Sequence, residues 1–185
     1  MSTKIAFVIL FGITAAGLWA CQWRGNRGTL EVRLKDHREA IGDFSRLEVS
    51  VETLRLSPEA SLKSSQPGWK DLSPSVQKID LTKFTGELSA VIFQGELESS
   101  RFEAIHLKLG KVEGTLKKSQ DQALITNRIG PIRLAFSVQQ NELTQIVLDL
   151  VVLDVRDHPS GSYELHIKGY ELYTNGKLID KIPRG

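Results

Sequence analysis

"LTQIVLDLVVLDV", residues 143–155, is the stretch whose reading decides the fold. It is nearly continuous in Val, Ile and Leu, and its only charges are Asp149 and Asp154. A run of this kind fits a buried helix or a buried strand. β-branched side chains lose freedom in a helix and pack well on a pleated surface, which favours strand. A strand with so little polar face is buried on both sides and sits centrally. The expectation is that Val151 and Leu153 pack between two layers.

The flanking chain alternates with a period of two. "TLEVRL" puts Leu30, Val32 and Leu34 on one face and Glu31 and Arg33 on the other. "FSRLEVSVETLRL" repeats this with Leu47, Val49 and Val51, and then Leu54 and Leu56 fall on the other parity. A bulge near Glu52–Thr53 accounts for that slip. "WKDL", "VQKIDL", "SAVIFQGEL", "EAIHLKL", "QALIT", "PIRLAFSV" and "YELHIKGYEL" read as further strands. "TKFTGEL" holds one helical turn before Gly86, and "SPEASLKSSQPG" (57–68) is a surface loop. Asn175–Gly176 suits a tight hairpin, because both residues tolerate positive φ. Strands at short, regular spacing predict an all-β fold, an antiparallel β-sandwich.

Composition supports a packed core: 41% of the 185 residues are hydrophobic and 25% are charged. Net charge is +2 over the whole chain. A near-neutral domain gives no case for nucleic acid. Cys21 is the single cysteine, which excludes an internal disulfide and a thiolate zinc centre.

The N-terminus differs. Lys4 precedes an uncharged apolar run, Ile5 to Ala20, the layout of a secretory signal. At ~1.5 Å per residue the run spans about 24 Å, short against a ~30 Å hydrocarbon core. "LWAC" resembles the lipobox of bacterial lipoproteins, with Leu18, the small Ala20 and then Cys21 as the lipidated residue. Trp19 departs from that pattern. An uncleaved anchor helix and ordinary secretion are the alternatives. The organisation expected is a signal or anchor over 1–21, a tether over 22–27 and a β-sandwich over 28–180.

"GTLEVRLKD", "DFSRLEVSVETLRL", "GWKDL", "KIDLTKF", "RFEAIHLKL" and "GSYELHI" are similar, in order and rough spacing, to the bacterial and archaeal family called domain of unknown function 4382. The family pattern Gly-Thr-Leu-x-Val-x-Leu-x-Asp is matched by Gly28 to Asp36. Asp43–Phe44, Trp69 and Ile79–Leu81 match later parts. Ser100, Phe102 and His106 replace a glycine, a tyrosine and an arginine of the pattern. The resemblance implies a transthyretin-like or immunoglobulin-like sandwich, frequently behind a lipoprotein signal. It implies no established activity and supplies no catalytic residues.

The sequence carries no nucleophile elbow, no His-Glu-x-x-His and no phosphate loop; "GKVEGT" reads as a β-turn. His106 and His166 lie on polar strand faces and are expected in solvent. Glu96 and Glu98 share one face, about 7 Å apart, and read as solvated. The one cluster with binding chemistry is "DVRDHPSG", where Asp154, Asp157 and His158 follow the apolar run. Its ligand count is too low for a closed metal site, so no metal and no cofactor are expected. The reading is a membrane-anchored, envelope-exposed and non-catalytic domain. It binds a partner protein or a surface glycan, or supports the envelope structurally. The rivals are a hydrolase with a loop-borne site and a single-pass sensor or assembly subunit.

Lipidation at Cys21 requires its sulfur. Cys21→Ser should therefore abolish the lipid mass increment of the native membrane fraction, as read by intact-mass spectrometry. A peptide spanning Ala20–Cys21 with a free thiol would instead establish an uncleaved N-terminus.

Overall fold

Leu30, Val32 and Leu34 are fully buried while Arg33 and Lys35 reach outward, so the alternation of "TLEVRL" is realised as the first strand, β1 (Arg27–Asp36). The computed structural model describes residues 25–59, 68–155 and 162–183. The remaining strands are β2 (Phe44–Pro58), β3 (Lys70–Leu72), β4 (Lys78–Asp80), β5 (Ala90–Glu98) and β6 (Ser100–Leu116). They are followed by β7 (Gln122–Asn127), β8 (Ile132–Val138), β9 (Leu143–Asp154), β10 (Ser162–Thr174) and β11 (Lys177–Ile182). The described residues contain no α-helix and only short 3-10 turns, among them Ala40–Asp43 and Leu81–Lys83. The second of these is the turn expected in "TKFTGEL"; Asp80 caps it, accepting from the Thr82 N–H. The expected N-terminal helix, Cys21, Asp157 and His158 lie outside the described residues.

The strands form one curled sheet in the order β3-β2-β6-β7-β10-β9-β1-β5. Three long strands make this possible by taking two short neighbours along one edge. β2 pairs with β4 near its start and β3 near its end. β6 pairs with β8 near its start and β7 near its end. β10 pairs with β7 and then β11. β7 is thus the link that joins the β2–β6 half to the β10–β9–β1 half. The inner faces of both halves feed a single core cluster that includes Phe44, Leu54, Ile105, Leu134, Leu148 and Leu165.

The pairing is mixed, which corrects the expectation of a purely antiparallel arrangement. β1 runs parallel to β9, with Thr29 opposite Leu143 and Asp36 opposite Leu150, and β10 runs parallel to β7. Parallel neighbours need long crossovers, and here the intervening strands themselves supply them. The β2–β6 ladder shifts register on both sides of Val51, which is the bulge expected from the phase slip. "GKVEGT" is not a turn but the interior of β6. Gly114 is needed there, because a Cβ would stand 2.5 Å from the Phe44 ring. The β10–β11 hairpin turns at Asn175 (φ 49) and Gly176 (φ 78), as expected.

β9 is central, flanked by β1 and β10. Ile146, Leu148, Leu150 and Val152 are its core face, all fully buried. Val147 and Val151 are buried on the opposite face, outside the main cluster, and Leu153 is only half-buried. This corrects the placement of Val151 and Leu153 between layers by one residue of register. Leu148→Ala should destabilise by about 2–5 kcal/mol, the cost of deleting a leucine's buried atoms and leaving a cavity. Leu153→Ala should cost markedly less. Chemical denaturation of both variants checks the register, and equal losses would contradict it.

Candidate functional site

A groove of about 1120 Å³ runs over the paired strands β6 and β8. Its floor is built by alternation: Leu134 and Phe136 of β8 and Phe102 of β6 point inward and are buried. Phe102 and Phe136 face each other across the ladder and stack, with ring centroids 5.0 Å apart and planes at 24°. Arg101 and Arg133 occupy the outward parity and are exposed. Among the described residues neither guanidinium has a hydrogen-bond or ion-pair partner. Pro131 through Ser137 all line the groove, consecutive residues of both parities.

Trp69, just before β3, forms part of the wall. The Arg55 guanidinium carbon lies 5.6 Å from its ring centroid, a cation–π contact. Arg55 is steered there by Asp71, which accepts from its Nε at 2.7 Å. His106 meets the same indole edge-on at 6.2 Å. Burial first, and then the Arg55 and Lys108 charges, hold His106 below its ordinary range. His106 is therefore a half-buried, neutral packing partner at neutral pH rather than a solvated one. His166 is also half-buried and pairs with Glu164 at 2.9 Å.

A second, smaller pocket of about 320 Å³ lies where the ends of β1 and β11 meet β9 and β10. Asp149 projects from the outer face of β9, and its Oδ2 is 3.0 Å from His37 Nδ1. Lys35 of β1 reaches across β9 to Glu171 of β10 at 2.8 Å. Burial opposes ionisation of Glu171, but Lys35 and the Tyr173 hydroxyl outweigh it and hold the carboxyl below its usual range. The same carboxylate, after burial, helps push Tyr173 up to about 12. Gly169 pairs with Asp149, and a Cβ there would collide with the Ile182 carbonyl oxygen at 1.7 Å. Only glycine lets the end of β11 close over this pocket. Among its described lining residues there is no serine, threonine or cysteine.

Asp36 ends β1 on the inward parity and is fully buried. Its Oδ1 accepts from the Arg38 N–H at 2.9 Å, fixing the turn that leaves the strand, and Arg38 takes φ 69. Among the described residues Asp36 Oδ2 and Asp149 Oδ1 have no partner. The two aspartates stand on opposite parities of adjacent strands, so they do not share a ligand position. No group of three or more His, Cys, Asp or Glu capable of holding a metal occurs among the described residues.

Of the residues singled out from sequence, Asp154 closes β9 opposite Tyr163, away from both concavities. Asp157 and His158 are outside the described residues, so their convergence with Asp154 has no geometry here. Glu96 and Glu98 are exposed, and Glu96 meets Arg27 at 3.6 Å. Sequence reasoning passed over Asp149, although a carboxylate inside a β-branched run is a visible signal. It also passed over the groove, whose parts are distant in sequence.

These features define an all-β module that carries a broad apolar groove and a small charged pocket. The chain belongs to the family described as domain of unknown function (DUF4382), whose pattern matches residues 27–166. No curated protein and no solved structure matches it significantly. Among the described residues no helix is long and apolar enough to cross a membrane.

Burial raises the Asp36 carboxyl from 3.8 to about 6. Its proton is thus held more tightly in the folded than in the unfolded chain. The associated stability is complete below pH ~4 and is lost as pH rises through about 6. Asp36→Asn keeps the acceptor for Arg38 and removes the charge. It should match the parent at pH 4 and exceed it by roughly 1–2 kcal/mol at pH 8, after discounting for relaxation around the site. Urea melts at both pH values test this, and a variant less stable than the parent at pH 8 would contradict it.

Proposed function

We propose that the protein is an envelope-anchored, non-catalytic binding module, tethered by its N-terminal segment and engaging its partner through the groove over β6 and β8. The finer architecture fits this role as a transthyretin-like or immunoglobulin-like sandwich, a rigid scaffold that presents a binding face. The observation that carries the reading is the groove itself. It has the concave, mostly apolar lining of ligand sites, with Trp69 on the wall and the charged side chains of Glu59, Arg101, Glu103 and Arg133 around it. Aromatic and arginine side chains are the ones that dominate binding energy at interfaces.

The hydrolase alternative finds a histidine–carboxylate pair, His37 and Asp149, in the small pocket. The described lining residues around that pair include no serine, threonine or cysteine. The anchoring rests on the apolar run that ends at Cys21.

Occupancy of the groove should slow amide exchange in 131–137. Hydrogen exchange of the full chain in native envelope fragments should show at least tenfold greater protection of these residues than in the detergent-purified chain. Protection of β9 should be the same in both. Identical exchange of 131–137 in the two preparations would remove the groove as the binding face.

A further inference from the structure

We infer that the tip of the β10–β11 hairpin rests on the bilayer that holds the N-terminal anchor, with Leu178 and Ile179 entering the lipid interface. This rests on the anchoring reading and adds a second membrane contact to it. Strand register puts the hairpin tip and the start of β1 at one end of the sheet. Leu30 of β1 lies opposite Thr144 of β9, Thr144 opposite Thr174 of β10, and Thr174 opposite Lys177 of β11. Backbone bonds tie that end together: the Asn141 N–H donates to the Arg27 carbonyl, and the Asn175 N–H to the Leu143 carbonyl. At ~4.8 Å per strand spacing, β11 stands about 14 Å from β1 across β10 and β9. The apolar run ends at Ala20, and the described fold begins at Gly25. A chain of that length reaches at most about 18 Å at ~3.6 Å per residue. An anchor that ends at Ala20 therefore holds the hairpin end of the sheet close to the membrane surface.

The hairpin carries side chains suited to that surface. Leu178 is 46% exposed and Ile179 55%, adjacent residues of a strand that pairs, among the described residues, with β10 alone. The ladder shifts register here: Leu178 faces Tyr173 and Asp180 faces Leu172, so Ile179 is the extra residue of a bulge. Both lie within three residues of Gly176, or about 10 Å of the tip at ~3.3 Å per residue. An interfacial helix sinks its apolar face by a comparable ~5–10 Å. Lys177 and Lys181 are exposed on the same strand, and their ammonium groups reach the headgroups while their stems stay with the apolar surface. Glu98 and Glu142 lie at this end with Arg27 and Lys177, so apolar insertion, more than charge, carries the contact. Two other exposed leucines are at the opposite end. The Leu88 N–H donates to the Thr85 carbonyl beside Asp36, and Leu124 lies opposite Ser162 at the start of β10.

The test uses the full chain, purified from its native membranes and reconstituted in vesicles of phosphatidylethanolamine and phosphatidylglycerol. The photoreactive residue p-benzoylphenylalanine is placed in turn at Leu178, Ile179 and Leu124. Irradiation should give phospholipid adducts, read by intact mass, at Leu178 and Ile179 at least tenfold above Leu124. Ile179→Asp should lower the Leu178 adduct at least tenfold without changing flotation of the chain with the vesicles, and Leu124→Asp should change neither. Flotation without lipid adducts at the hairpin would keep the anchor and overturn the docking alone. Equal lipid adducts at all three positions, or adducts between two copies of the chain in place of lipid, would also overturn it. A chain that does not float would overturn the anchoring reading and the docking that depends on it.

Discussion

β9 has to be covered on both faces, and the rest of the sheet is arranged to do it. On the core face the solution is ordinary packing: Ile146, Leu148, Leu150 and Val152 meet the apolar face of the opposite half of the curled sheet. Among the described residues no second layer of strands covers the outer face. β1 and β10 lie on either side of β9, and the long side chains of Lys35 and Glu171 meet across it. Their aliphatic stems cover apolar surface while the charged ends pair. Val147 is 5% exposed and Asp149 8% exposed for this reason. The parallel pairing of β1 with β9 is what puts Lys35 next to Asp149 and within reach of Glu171. An antiparallel β1 would reverse the order of its outward residues and put Glu31 toward the end of β9 where Lys35 now stands.

The curl depends on local irregularities in the ladders. Register shifts between β2 and β6 on both sides of Val51 bend the two longest strands together, since each bulge adds twist. Gly110 faces the Glu52 side chain at this point, where a Cβ would stand 2.7 Å from Oε1. A further shift around Lys168 bulges β10 against β9 just before the Tyr170–Thr174 stretch, which stays paired with β9 and takes β11 on its other edge. Because β6 and β10 each carry β7 over only part of their length, the two halves of the sheet stay joined while β8 and β11 diverge from the seam. The free edge of β8 follows from that: β7 occupies the same side of β6 farther along, and no described strand lies beyond β8.

What was legible in the sequence is what local periodicity encodes. The alternation of Leu30, Val32 and Leu34, the slip after Val51 and the Asn175–Gly176 turn each depend on neighbours a few residues away, and each has its structural counterpart. Strand partnership was not legible. Nothing in "TLEVRL" says that it lies parallel to Leu143–Leu150, because backbone pairing leaves no mark on side-chain period. The one-residue misplacement of the core face of β9 has the same origin. A run that is apolar on both parities does not say which one faces the larger layer. The groove was invisible because Trp69, Phe102 and Phe136 belong to separate segments. Asp36 was visible, as the end of the Gly28–Asp36 stretch, but its fully buried environment was not.

The two concavities differ in what they leave unsatisfied, and that difference separates structure from binding. In the small pocket Lys35 meets Glu171, His37 meets Asp149, and Asp36 Oδ2 and Asp149 Oδ1 are sealed from solvent. A buried carboxylate of this kind acts on folding, since its cost is relieved by a proton rather than by a partner of any size. In the groove the charged groups that face solvent include the exposed guanidinium groups of Arg101 and Arg133. Water serves those groups at little cost in the free protein. The apolar surface that a ligand in the groove would remove from water is that of Ile132, Ala135 and the Trp69 wall, since Leu134 and Phe136 are already buried.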